Sequence, residues 1–222
     1  MWKRVIGCAA IAIALALTIT GQQIVDKTVA VVSDGSRSEL VTYSDLLWQM
    51  ALQPGVPLDS PRSEDLNRAL QTLINQRIFA LEARRLPRAA PGAAEIADKI
   101  GDTVAFFPSA SAFEMRLKQV GFDSVKDPAF ESLIAQRVGI EKYIDFRFNS
   151  FVVVTPDEEK KYYTDIFTPE FRRRSPGLLL PPFDEKRAEI REEITQQKVA
   201  AAIERFLDEA KRRITVEILI PV

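Results

Sequence analysis

Apolar residues recur along the chain in two rhythms, alternation and three-to-four spacing, which predict short strands and amphipathic helices. Thr28-Val29-Ala30-Val31-Val32 is β-branched and predicts a strand. Asp34-Gly35 is a turn signal, and residues 39–42 predict the returning strand. Thr42 or Ser44 can cap a helix carrying Leu46, Leu47, Met50 and Ala51. Pro54, Pro57 and Pro61 then enforce a loop, because proline has no N–H to give a helix interior. Ser63 reads as the N-cap of a strong helix, with Glu64 and Asp65 complementing the dipole of its first turn. Leu66, Leu70, Leu73, Ile74, Ile78 and Leu81 keep helical spacing; Arg84 and Arg85 fall in the last turn, and Pro87 ends it. A shorter helix is predicted over 91–104. Pro108 breaks the chain, and Ser109 or Ser111 starts a helix through Phe113, Leu117 and Val120 that Gly121 closes.

Pro128 opens a long helix toward Phe148, with Phe130, Leu133, Ile134, Val138 and Ile144 as its apolar side. Residues 152–154 are extended. Thr155-Pro156-Asp157-Glu158 is a helix start with a complete capping box. That helix carries Tyr162 and Tyr163 and is expected to fray before Pro169. Helical neighbours point about 100° apart, so one tyrosine is expected in the core and one at the surface. Residues 171–183, with Arg172, Arg173, Arg174 and three prolines, predict a loop. Asp184 begins the longest helix, to about residue 213; at ~1.5 Å per residue it is roughly 45 Å long. Residues 215–220 alternate and predict a terminal strand. A helix of that length is expected to bridge distant parts and to bring the last strand back to the strands near 28–42. The fold class is mainly α with a small β element, closed by the long C-terminal helix and terminal strand.

The first twenty residues read as an address. Lys3 and Arg4 precede an apolar or small-residue run over 5–19, and Thr18-Ile19-Thr20 suits signal peptidase. At roughly 22 Å the run is short for a hydrocarbon core about 30 Å thick. A cleaved export signal and a periplasmic location are expected, with a retained N-terminal anchor as the alternative. Val5-Ile6-Gly7-Cys8 is no lipoprotein box, because the apolar run follows Cys8 instead of preceding it.

Composition narrows the chemistry. The 222 residues contain no histidine, which removes the commonest proton carrier near neutral pH and the commonest transition-metal ligand. Cys8 is the only cysteine, so neither an intrachain disulfide nor a thiolate zinc site can form. Triad hydrolases and zinc enzymes are excluded; carboxylate, Ser-Lys and oxygen-ligated metal chemistry stay formally open. A net charge of −1 gives no overall pull toward nucleic acid. No catalytic residue, metal or cofactor is expected.

The segment order resembles the SurA-type periplasmic chaperones. Asp26-Lys27-Thr28-Val29-Ala30-Val31-Val32 resembles the family's opening strand, and Thr42-Tyr43-Ser44-Asp45-Leu46 the helix that follows. Leu73-Ile74-Asn75-Gln76-Arg77-Ile78-Phe79-Ala80-Leu81-Glu82-Ala83-Arg84-Arg85 resembles its next helix, and the stretch 152–163, VVVTPDEEKKYY, its tyrosine-bearing one. The resemblance covers nearly the whole chain after the leader, through patterns of hydrophobicity and caps. It implies one chaperone module over 21–222: a helical core with N-terminal strands over 28–168, a loop over 169–183 and the returning helix and strand over 184–222. Fuller members carry a parvulin domain of about 100 residues where the loop lies. Such domains typically carry active-site histidines. No prolyl isomerase activity is therefore expected.

The resemblance implies partners among unfolded or nascent envelope proteins, held without covalent chemistry. Trp48, Met50, Phe106, Phe107, Phe113 and Met115 are the candidate peptide-binding residues, with Phe122 and Phe130 as further aromatics. Aromatic rings and methionine supply adaptable apolar contact. The plainer reading of each is core filling. Arg172, Arg173 and Arg174 read as a solvated charge run, or as a peripheral contact with acidic lipid headgroups. Asp157, Glu158 and Glu159 are explained by dipole complementation at a helix start. The alternatives to a holdase are a structural adaptor of an envelope complex and an isomerase component dependent on a partner, with an unrelated hydrolase remote.

Overall fold

The computed structural model describes residues 26–85 and 90–222; the leader and Pro87 lie outside them. Strands β1 (Thr28–Ser33) and β2 (Ser38–Thr42) form an antiparallel hairpin. Its turn is built by Asp34, whose Oδ1 accepts from the Ser36 and Arg37 N–H groups at 3.0 and 2.9 Å, and by Gly35 at a φ of 86° that favours glycine. The chain's last strand, β3 (Thr215–Ile218), pairs antiparallel with β1 in the register Ala30↔Ile218, Val31↔Glu217, Val32↔Val216. The sheet order is β2-β1-β3, so the terminal strand returns to the first.

Among the described residues eight α-helices carry the rest: α1 (Tyr43–Ala51), α2 (Ser63–Ala83), α3 (Ala93–Ala105), α4 (Ala110–Gln119), α5 (Pro128–Phe148), α6 (Pro156–Tyr162), α7 (Thr168–Arg174) and α8 (Phe183–Lys211). Their starts follow local chemistry. Thr42 and Thr155 form capping boxes with Asp45 and Glu158. Ser109 Oγ accepts from the Ala112 N–H, and Asp127 accepts from that of Ala129, just before Pro128. Ser63 is not the N-cap expected of it: Arg62 holds that position, and Asp65 is clamped between Arg62 and Arg68 instead.

Among the described residues two apolar clusters build the core. The first joins β1 and β2 to α1, α2, the C-terminal half of α5 and the C-terminal half of α8. At its centre Phe79 stacks on Phe206 at 5.5 Å, with Phe148 edge-on to Phe206 at 5.5 Å. The second packs Phe107, Phe113, Leu117, Phe122, Phe130, Ile134 and Val138. Helix α5 serves both. Phe130, Ile134 and Val138 face the second cluster, while Ile140, Tyr143 and Phe148 face the first. Its buried stripe therefore changes partner midway, which is why Leu133 and Ile144 are only partly covered.

The largest departure lies after Tyr162. The helix does not fray before Pro169. A π turn (Tyr163–Phe167) follows α6, the Thr168 N–H bonds to the Tyr163 carbonyl five residues back, and α7 continues to Arg174. Proline is tolerated in a first helical turn, and the widened turn makes Pro169 begin a new helix rather than interrupt an old one. Residues 169–174 are thus helical, and the connecting loop is only 175–182. Arg172, Arg173 and Arg174 sit in the last turn of α7, where cations complement the dipole, and Arg174 pairs with Glu170 at 3.2 Å.

Helix α8, about 44 Å long at ~1.5 Å per residue, has Ile190 and Ile194 buried near its start and Phe206 and Ala210 buried near its end. Its N-terminal half packs on α6, forming an arm, and its C-terminal half enters the first cluster.

Candidate functional site

Four of the six expected peptide-binding side chains are core or nearly so. Met50 fills the first cluster, and Phe107 and Phe113 the second, their rings 4.7 Å apart. Trp48 is half-buried against the same cluster; its Nε1–H donates to the Val120 carbonyl at 3.0 Å and its ring lies 5.0 Å from Phe122. Phe122 and Phe130 are buried too. These side chains pack within the two clusters, Trp48 remaining half-buried. Phe106 and Met115 differ: they are 75% and 60% exposed. Phe106 is the C-cap of α3, one residue before the ring that turns inward, and Met115 lies on the outer side of α4.

Further apolar surface lies where the sequence did not direct attention. Phe146 and Phe151 meet edge-on at 6.2 Å at the end of α5, beside the exposed Val153. Leu178 and Leu179 stand at the tip of the loop joining α7 to α8, Leu179 being 92% exposed. The arginines and prolines of that stretch predict a loop, and its three leucines, Leu178, Leu179 and Leu180, are the signal of apolar surface there.

The arm leading to this tip is built on an aromatic ladder. Tyr163 stacks on Phe167 at 5.5 Å and Phe167 on Phe171 at 5.9 Å, four residues apart each time, while Phe183 closes edge-on to Tyr163. The Tyr163 hydroxyl donates to the Pro181 carbonyl at 2.7 Å, which ties the loop back to the ladder. A groove of about 480 Å³ runs between this ladder and α8, lined by Tyr162, Ile166, Phe167, Phe171 and Ile190, with Glu170, Glu189 and Glu193 at its edges. Both tyrosines are half-buried, so the expected split into one core and one surface ring is not observed. Each lies at the boundary between arm and solvent.

Ionic contacts hold the arm's two strands of helix together. Glu159 is fully buried and accepts from Arg187 at 2.7 Å and Arg191 at 2.5 Å. Burial pushes its carboxyl upward, but the two guanidiniums outweigh that and leave it below the usual range. Glu158 meets Lys198 at 2.7 Å, and that ammonium also reaches the Val153 carbonyl at 2.7 Å. The Lys198 hydrogen bond, then the Thr155 N–H, hold the Glu158 carboxyl down to about 2. Read from sequence, Glu159 was a dipole-complementing acid. Arg187 and Arg191, one turn apart on the facing helix, were the sign of its second role.

Elsewhere arginines staple the body. Arg116 donates to the carbonyls of Met50, Ala51, Gln53 and Val56, fixing the end of α1 and the loop beyond it to α4. Arg77 joins the Leu40 carbonyl, Gln136 and Asp45. Among the described residues no group of three or more acidic or cysteine side chains is placed to hold a metal ion, and no helix is long and apolar enough to cross a membrane. Fold and surface together define a mainly helical protein with a paired-helix arm and scattered exposed apolar side chains. No family model matches the chain, and no curated protein matches it.

Proposed function

We propose that the protein is a non-catalytic chaperone of the cell envelope, a holdase that shelters unfolded or outer-membrane-bound polypeptides after its own export to the periplasm. The reading joins the resemblance to SurA-type chaperones with one structural observation: large apolar side chains remain outside two otherwise well-filled cores. Phe106 and Met115 lie on the α3–α4 side, Phe151 and Val153 after α5, and Leu178 and Leu179 at the tip of the arm. Single exposed apolar residues are ordinary on protein surfaces. Here they accompany an open groove lined by aromatic rings, which suits weak, multi-site contact with extended chains. Binding of this kind needs no nucleotide and no covalent step.

Aggregation of a denatured β-barrel membrane protein, followed by light scattering after dilution, tests the reading. A stoichiometric amount of the protein is expected to slow aggregation, and the double substitution Leu178→Ser with Leu179→Ser to weaken that effect. Unchanged aggregation, together with no binding of peptides from the barrel protein, would refute it. The burial of Met50, Phe107 and Phe113 favours a second reading, a rigid adaptor for one folded partner. A single dominant co-purifying envelope protein, with no protection of unfolded chains, would support that alternative.

A further inference from the structure

A cleft of about 300 Å³ opens between α2 and α5, away from the arm groove, with Asn75, Phe79, Arg137, Ile140 and Ile144 among its walls. Two shielded polar atoms of its lining lack a hydrogen-bond partner among the described residues: the Asn75 Oδ1 acceptor and the Arg137 Nε–H donor. Buried polar atoms are nearly always satisfied, so two exceptions of opposite sense on one cleft call for a reason. The third shielded atom without a hydrogen bond, Glu82 Oε1, lies elsewhere and is ion-paired with Arg85 and Arg213.

Arg137 is also short of charge compensation. Its other contact is with the neutral Gln49 Oε1, itself a buried side chain. No carboxylate of the described residues pairs with it. Glu141, one turn along α5 and on the same cleft, is drawn to Lys99 at 2.6 Å. Burial lowers the Arg137 pKa to about 10, against a smaller upward pull from Glu141. Desolvated cations are ordinarily paired, and an unpaired one beside an apolar-walled opening favours an anion there.

We propose that this cleft binds the carboxy-terminal residue of a polypeptide. The carboxylate meets the Arg137 guanidinium, the terminal residue's own N–H donates to Asn75 Oδ1, and its apolar side chain rests on Phe79, Ile140 and Ile144. Rotation of the Arg137 and Asn75 side chains, both of which line the cleft, presents their shielded atoms. The volume lies at the small end of ligand pockets, enough for one residue and too little for a long acyl chain. The residues before it have a path. A shallower depression shares Thr72 and Asn75 and continues along α2 past Gln71, whose amide suits an extended backbone, as far as Asn67, whose Nδ2 already donates to the Ser63 and Val222 carbonyls. The site is independent of the holdase reading, because it selects a free chain end rather than internal apolar segments.

Calorimetric titration of the whole protein with N-acetyl-leucyl-phenylalanine, its carboxamide and octanoate tests the proposal. The dipeptide acid is expected to bind, and the carboxamide roughly ten-fold or more weaker, as loss of a charge-assisted contact implies. Arg137→Met should reduce the acid to the carboxamide's affinity. Should that variant fail to fold, Asn75→Asp, which sets a negative charge against the carboxylate, should give a comparable loss. Equal affinity for acid and carboxamide, octanoate binding as tightly as the acid, no saturable binding of the acid, or an unchanged affinity in the folded variant would each overturn the assignment. Because no aggregating client is involved, failure here leaves the holdase test untouched, and failure there leaves this one standing.

Discussion

Neighbouring residues in this chain have opposite fates. Phe106 and Phe107 are adjacent, yet one ring stands in solvent and the other packs at 4.7 Å from Phe113. Phe113→Ala is expected to destabilise the fold by about 3–5 kcal/mol, the usual cost of emptying a packed aromatic site. Phe106→Ala should stay within about 0.5 kcal/mol. Urea denaturation monitored by circular dichroism measures both, and equal effects would mean that the second cluster is not a packed core. Composition alone could not separate these two rings, since the choice depends on where α3 ends. The staples Arg116 and Arg77 were invisible for a related reason: their acceptors lie dozens of residues away in sequence. Trp48, Met50, Phe107 and Phe113 had the right chemistry for a binding surface, but the same chemistry fills cores.

At the scale of elements, most of the molecule was legible. The hairpin, the helix starts at Thr42, Ser109, Pro128 and Thr155, and the long final helix all follow from local rules of caps, prolines and periodicity. The stretch 163–174 was not legible, because a π turn has no periodicity to recognise and Pro169 read as a stop. The arm so created makes a pH prediction. Glu158 and Glu159 both hold protons less readily than the usual glutamate value of 4.5, Glu158 down to about 2. A carboxyl with a lowered folded-state pKa adds stability that is present above its unfolded value and lost as pH falls through the folded one. The α6–α8 clasp should therefore weaken between about pH 4.5 and 2. Thermal melts across that range are expected to show a smaller acid loss in Lys198→Met, which starts less stable, than in the wild type. Parallel curves for the two proteins would contradict this role of the clasp.

For the whole molecule, the closing contact is the pairing of β3 with β1. It joins residues nearly two hundred apart and returns α8 to the sheet it started away from. The length of α8 and the alternation after it foreshadowed that closure; the division of the body into two aromatic clusters sharing α5 they did not. The second cluster, built apart from that closure, covers the candidate aromatics of α1 and α4, and the fold leaves the arm tip, the end of α5 and two side chains of α3 and α4 outside. A chaperone built this way would meet its clients at those outer points, not through its rings at the centre. Site-specific photo-crosslinking addresses this most directly, with the photoreactive residue placed in turn at positions 151, 179 and 131, the last being an exposed glutamate in the first turn of α5. An unfolded β-barrel client should crosslink at 151 and 179 well above the level at 131. Equal labelling at all three, or none, would contradict the account.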